Sequence, residues 1–362
     1  MTIKFGIQHG TNAAFLRLKT EDYLKSIQYC DKASYDSIFI MDHLNISPIE
    51  AEVPSCPILL SGAALKTEKV KIGSCVSDLH RRHPAQIALD SLTLQRLSKN
   101  RFILGLGAGE GMNLNDFGIT WNKPVTRLIE AVEVIKLLWK SAQKRRLTVD
   151  YNGEFFNLRN ATLQYPTKIL PKLWIGANGP RTIEFTGKVA DGWIPAVYTP
   201  NLYKKHLKLL EKSGRTEEIE KALEVYVVIS NEKPDAAKNI GRGLGNILAL
   251  VNPAILDDYN IDLPEELQPH HRLNESLSEM TKMTQVSMDF AKENIPEEVA
   301  DSLVISGNSI DCIEQFDEYI KAGVEHFLIE IFGMGDHFKA LELFTNEVYG
   351  YFKDKAIPVI TS

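Results

Sequence analysis

Eight short apolar runs, each followed by an amphipathic stretch, restrict the fold of this chain more than any other feature. They are "IKFGIQ" (3–8), "DSIFIM" (36–41), "VKIGSCV" (70–76), "RFILGLG" (101–107), "KLWIGA" (172–177), "GWIPAV" (192–197), "LEVYVVIS" (223–230) and "EHFLIEI" (325–331). Near-continuous apolar runs are expected of parallel strands covered on both faces. Alternating strand and helix suits an open doubly wound sheet or a closed (β/α)8 barrel. Eight units in 362 residues favour the TIM barrel, an α/β fold, with residues 1–362 as one domain.

Helices are expected over 20–34, with Thr20 as N-cap, over 56–67, from Pro84, and over 123–139. Two stretches interrupt the rhythm. Residues 147–165 read as a β-hairpin turning at "YNGE". Residues 234–300, after the seventh strand, read as a helical insertion that covers the barrel mouth or makes a subunit contact.

The net charge of −6 argues against a nucleic-acid or anionic-membrane surface. Four cysteines without CxxC spacing predict reduced thiols, and the histidines have no zinc-ligand spacing, so no metal is expected. No apolar stretch is long enough to span a membrane, and the N-terminus opens directly on a strand. A cytoplasmic protein acting on a small molecule is the expectation.

A barrel builds its active site at the C-terminal ends of its strands. That rule selects Gln8–His9, Asp42–His43, Cys75–Asp78, Gly107–Asn113, Gly176–Gly179, Val197–Tyr198, Ser230–Asn231 and Phe332–Gly335. "GLGAGEGMN" (105–113) resembles a dinucleotide loop, but Glu110 or Met112 stands where GxGxxG needs its last glycine. The run reads either as a flexible strand-to-helix turn with a solvated Glu110 or as glycines that let a flat ring approach the backbone, with Glu110 at its reacting edge. His43 titrates near neutrality and suits acid–base work. "SDLHRRHPA" (77–85) reads either as a solvated loop capping the next helix or as a cationic rim for an anionic ligand. "IGANGP" (175–180) offers free backbone amides at a helix start, a phosphate-holding arrangement that a plain turn explains almost as well.

Together "MDHLN", "GSCVSDLHRRHPAQIA", "NRFILGLGAGEGMN", "GITWNKPVTRLIEAVEVIKLLW", "IGANGP", "ADGWIP" and "ISGNSIDCIEQFDEYIKAGVEHFLI" resemble the bacterial-luciferase-like superfamily. Within it the chain is similar to the coenzyme F420-dependent branch, which includes methylenetetrahydromethanopterin reductases and F420-dependent glucose-6-phosphate dehydrogenases. The resemblance implies a barrel with its insertion after the seventh strand, a homodimer, and a deazaflavin or flavin in the barrel mouth. It implies catalytic roles for His43, Glu110 and Gln8. Asp42, Cys75, Val76, Asp78, Gly109, Asn113, Ala177, Asn178 and Gly179 are expected around the cofactor, with a non-proline cis peptide at Cys75–Val76. The reductases carry Glu at the position of Gln8 and Asp at that of Glu110. The implied activity is F420-dependent hydride transfer to or from an alcohol, carbonyl or methylene-pterin. An FMN-dependent monooxygenase and a non-catalytic F420-binding protein are the alternatives.

Overall fold

Each of the eight apolar runs contains a strand. They are β1 (Lys4–His9), β2 (Ser37–Ile40), β3 (Lys71–Ser74), β4 (Phe102–Gly107), β5 (Lys172–Gly176), β6 (Gly192–Ile194), β7 (Glu220–Ile229) and β8 (His326–Ile331). The structure, a computed structural model, describes residues 2–46, 51–144, 146–268 and 283–354. The eight strands pair in parallel in chain order, and β8 returns to β1 to close the ring. This is the expected (β/α)8 TIM barrel.

Strand alternation sorts the side chains into two cores. Phe39, Ile103, Trp174, Ile194, Ala222 and Leu328 meet inside the ring, where Phe39 stacks on Trp174 at 5.4 Å between ring centroids. Neighbours such as Ile7, Ile38, Leu104, Ile175 and Ile329 point outward onto the helices. Below the inner layer, at the N-terminal end of the barrel, Glu220 accepts from Lys4 at 2.6 Å and from His326 Nδ1 at 3.1 Å. Burial pushes the Glu220 carboxyl up, but these two partners hold it down at about 2. Ser37 meets the other His326 nitrogen at 2.8 Å. That end is therefore filled and pinned, and open polar groups concentrate at the opposite end.

Several details differ from the expectations. Lys19, not Thr20, is the N-cap of helix Thr20–Lys32. The Thr20 hydroxyl and amide both donate to Glu52, while Asp22 accepts the Lys19 amide at 3.0 Å. The hairpin joins Val149–Asn152 to Asn157–Ala161 through residues 153–156, so its turn lies two residues beyond "YNGE". Glu130 fixes that turn by accepting the amides of Glu154, Phe155 and Phe156 at 2.8, 2.9 and 3.3 Å. A further parallel strand, Val304–Gly307, pairs with the outer half of β7, beyond the point where short β6 ends. The region after β7 contains helices Pro234–Ala249, Pro253–Asp258, Thr284–Asn294 and Glu297–Leu303. Residues 269–282 of the expected insertion lie outside the described residues. No helix among the described residues is long and apolar enough to cross a membrane.

His9 ends β1 on its outward face, buried against Tyr23 and His337 with centroid separations of 5.3 and 5.7 Å. Burial, helped by His337, lowers its pKa from 6.5 to about 3. The unfolded chain therefore binds a proton in this interval that the folded protein refuses. Stability is complete above pH 6.5 and falls toward about pH 3. The slope is roughly 1.4 kcal/mol per pH unit for one proton. Urea denaturation across this interval should show a shallower slope for His9→Phe than for the parent; equal slopes would remove His9 as the cause.

Candidate active site

At the C-terminal end of the barrel the loops bring most of the expected residues together. Asp42 and His43 follow β2, and Asn113 reaches them from the turn after β4: its Oδ1 accepts the amide of Leu44 at 3.2 Å. Val76 follows β3 across a cis Cys75–Val76 peptide bond. Its side chain lies over three glycines of neighbouring strands. A Cβ at Gly107 would stand 2.4 Å from Val76 Cγ2, one at Gly176 3.2 Å from the same side chain, and one at Gly105 1.9 Å from the Ser74 carbonyl oxygen. The glycines of "GLGAGEGMN" thus make room for the bulge of the adjacent strand. At Gly105 and Gly107 the expectation that the glycines bare the backbone to a ring is corrected, because Val76 packs on both. Gly109, at φ +76°, turns the chain beside Asp78 and His80 and carries it into Glu110.

The two arginines after β3 form no free cationic rim. Asp42, 4% exposed, accepts Ser77 Oγ at 2.6 Å and is held by the guanidinium groups of Arg81 and Arg82. Asp78 accepts the amides of His80 and Arg81 at 2.8 and 3.0 Å and pairs with the Arg81 side chain. Each carboxylate thus balances buried positive charge, and the cluster fixes the loop that carries His43. His83 caps helix Pro84–Leu97, its Nδ1 accepting the Ala85 amide at 3.1 Å.

His43 sits half-buried beside this cluster, and its Nδ1 has no hydrogen-bond partner. Burial, followed by the nearby Arg81 charge, lowers its pKa to about 4 against the opposing pull of Asp78. His43 is therefore a neutral imidazole at pH 7. Glu110 moves the other way. Burial, then the charges of Glu224 and Asp78, raise it to about 7. Of these two groups, Glu110 is the one that both gives and takes a proton near neutrality.

Sequence reasoning missed the floor of the site. Period 2 along β7 points Glu224 and Tyr226 into the barrel, and register pairs Tyr226 with Glu330 of β8. Glu224 accepts Tyr226 Oη at 2.8 Å and the Cys75 thiol at 3.7 Å. Glu330 accepts Gln8 Nε2 at 3.0 Å and the Asn12 amide at 2.9 Å. Burial raises both carboxyls and also the Cys75 thiol, which stays protonated. A signal was present: Glu224 in "LEVYVVIS" and Glu330 in "EHFLIEI" each stand between apolar neighbours within a strand, where an acid needs a reason to be.

After β5, Ala177 is buried and its carbonyl accepts Trp193 Nε1 at 2.8 Å. Asn178 Oδ1 accepts the Ala196 amide at 3.1 Å, and its carbonyl accepts Tyr198 Oη at 3.0 Å. Gly179 then opens helix Pro180–Val189 with no side chain capping its first amides. An apolar platform at Val76 and an uncapped helix N-terminus fit a planar ring carrying an anionic tail. Deazaflavin and flavin cofactors both have that form.

Asp42→Asn would leave two arginines facing a neutral amide, a loss of roughly 3–5 kcal/mol for a broken buried pair. A fall of that size in the urea-derived stability is expected; a loss under 1 kcal/mol would contradict the charge-balancing role.

The luciferase-like monooxygenase family matches residues 4–326. The chain is similar to 5,10-methylenetetrahydromethanopterin reductase of Archaeoglobus fulgidus, 28% identical over 89% of this chain and 91% of the relative. It is 32% identical to the F420-dependent glucose-6-phosphate dehydrogenase of Kineococcus radiotolerans, over 58% of this chain and 64% of the relative. Among solved structures, an F420-dependent secondary alcohol dehydrogenase in complex with an F420–acetone adduct superposes with a TM-score of 0.76. That pair shares 20% identity over 96% of this chain and 99% of the other. A barrel carrying this mouth, matched by the family over nearly its whole length, belongs to the luciferase-like monooxygenase family.

Proposed function

We propose that this chain is a coenzyme F420-dependent oxidoreductase that moves a hydride between the deazaflavin and the carbon of a small alcohol or carbonyl compound. The observation that carries this reading is Glu110, raised to about 7 at the barrel end that also carries a neutral His43. The F420-dependent relative at 32% identity supports the cofactor. A methylene-pterin is the second substrate class, supported by the archaeal reductase similar over 89% of the chain.

When bound, the deazaflavin supplies or accepts the hydride; the protein positions the partners and handles the proton. Val76 supports the ring. Backbone amides at Gly179 hold the anionic tail, and Asn113 fixes the 42–45 loop around the reacting edge. His43, uncharged, offers a hydrogen bond to the substrate oxygen. Glu110 gives that oxygen its proton in reduction and takes it back in oxidation.

The rim favours substrates with apolar flanks. Phe15, Leu44, Phe117 and Met334, from segments after β1, β2, β4 and β8, are between 38% and 51% exposed. The arginines that would attract a phosphate are instead paired with Asp42 and Asp78. A homodimer belongs to the same proposal. Ile58 and Leu65, 74% and 70% exposed and one heptad apart on helix Cys56–Lys66, offer an apolar face for a second copy. Leu65→Glu should move the protein from dimer to monomer in sedimentation velocity; a parent already monomeric would discard this part.

Glu110→Gln should retain F420 binding and lose turnover by about 10²-fold or more. In the parent, carbonyl reduction needs protonated Glu110, so its rate should fall as pH rises through about 7, while alcohol oxidation should rise over the same interval. Ketones with apolar flanks should exceed sugar phosphates in kcat/KM. Undiminished turnover by Glu110→Gln would overturn the mechanism.

A further inference from the structure

The loop between β5 and helix Pro180–Val189 carries two amides, those of Asn178 and Gly179, that have no hydrogen-bond partner among the described residues. The carbonyls of the same two peptide units are both engaged. Trp193 Nε1 donates to the Ala177 carbonyl at 2.8 Å, and Tyr198 Oη donates to the Asn178 carbonyl at 3.0 Å. Trp193 and Tyr198 belong to the outer core, where Trp193 stacks on Tyr203 and Tyr198 meets His206, both of helix Pro200–Glu211. In a trans peptide the N–H points opposite to the C=O. Carbonyls turned to the outer layer therefore leave both amides facing the barrel axis.

One hydrogen fixes this orientation. Tyr198 Oη also stands 2.7 Å from His206 Nδ1, and both side chains are buried. A phenol has one hydrogen, and a backbone carbonyl can only accept. Tyr198 gives its hydrogen to Asn178, so His206 must carry a hydrogen on Nδ1 to complete the contact. The segment that presents Tyr198 is itself strained. Val197 has φ +60°, a conformation that a β-branched residue adopts only where its surroundings impose it. Here Asn252, 3% exposed, donates from Nδ2 to the Val197 carbonyl at 2.7 Å, and the Ala196 amide donates to Asn178 Oδ1 at 3.1 Å. A plain turn after β5 requires neither the strain nor the buried donors.

We propose that Trp193, Tyr198 and His206 are positioning residues that hold the 177–179 backbone with its amides turned to the mouth, where they receive an oxyanion of the cofactor tail. This role rests on the reading of Gly179 as the tail site. The three side chains act through the backbone and are not catalytic residues. No bond to the ligand forms and no electrons move.

The test uses the full chain and has two parts. In cofactor-free protein labelled with ¹⁵N-histidine, NMR at about pH 8, above the ordinary imidazole range, should show His206 as the Nδ1–H tautomer. His206→Leu assigns the signal. Binding is then followed by fluorescence titration, with F420 against a deazaflavin lacking the anionic tail, and with FMN against riboflavin. Tyr198→Phe should weaken the tailed ligand about tenfold, the loss of one hydrogen bond, and leave its tail-free counterpart unchanged. His206→Leu should act in the same direction, and His206→Asn, whose amide can donate in place of Nδ1, should restore the parent's affinity. Should Tyr198→Phe fail to fold, the tautomer and the two His206 variants keep the proposal testable. An Nε2–H tautomer in the parent, no loss or equal losses for tailed and tail-free ligands, or a parent that binds neither tailed ligand better than its counterpart would overturn the proposal. Tail-dependent binding of FMN with no binding of F420 would overturn the F420 reading and leave these positioning roles standing.

Discussion

Closing eight parallel strands into a ring leaves no free face: every second side chain must enter a narrow interior. That constraint organises the rest of this molecule. The middle of the ring is filled by Phe39, Trp174, Ile103 and Leu328. The lower end is pinned by the Lys4, Glu220 and His326 cluster. The inward positions nearest the mouth fall to Gln8, Glu224, Tyr226 and Glu330. Burial then raises the carboxyls of Glu224 and Glu330 above the ordinary carboxylate range.

The same enclosure works differently one layer out. Asp42 and Asp78 are buried as well, but each meets an arginine. They serve as anions that lock the loop after β3 to the loop after β2. His43, beside the resulting positive charge, is driven toward the neutral form. Two carboxylates with cations and two without, within one barrel mouth, divide structural charge from titrating charge.

Much of this was legible in the sequence because parallel barrel strands announce themselves as apolar runs, and because strand ends locate a barrel's working residues. Asp42, His43, Glu110 and Asn113 followed from that rule, and the structure gathers them at the same end. What could not be read depends on pairing across strands. Val76 resting on Gly105, Gly107 and Gly176 joins three strands, a contact that no single run reveals. The arginines of "DLHRRH" looked free because Asp42 is 39 residues from Arg81 in sequence. Thr20 looked like a cap because Glu52, its actual partner, lies 32 residues away. Glu224 and Glu330 stood in view, but an acid inside an apolar strand says only that something holds it, not what.

We propose that this mouth receives a deazaflavin and uses it for hydride transfer. Titration of the purified protein with F420 and, separately, with FMN tests it most directly, followed by mixing reduced F420 with an apolar ketone. Saturable F420 binding, much weaker FMN binding, and return of oxidised-F420 absorbance as the ketone is consumed are expected. Tight FMN binding with no F420 binding would contradict it in favour of a flavin monooxygenase. F420 binding without hydride exchange to any carbonyl or methylene-pterin would contradict it in favour of a carrier protein.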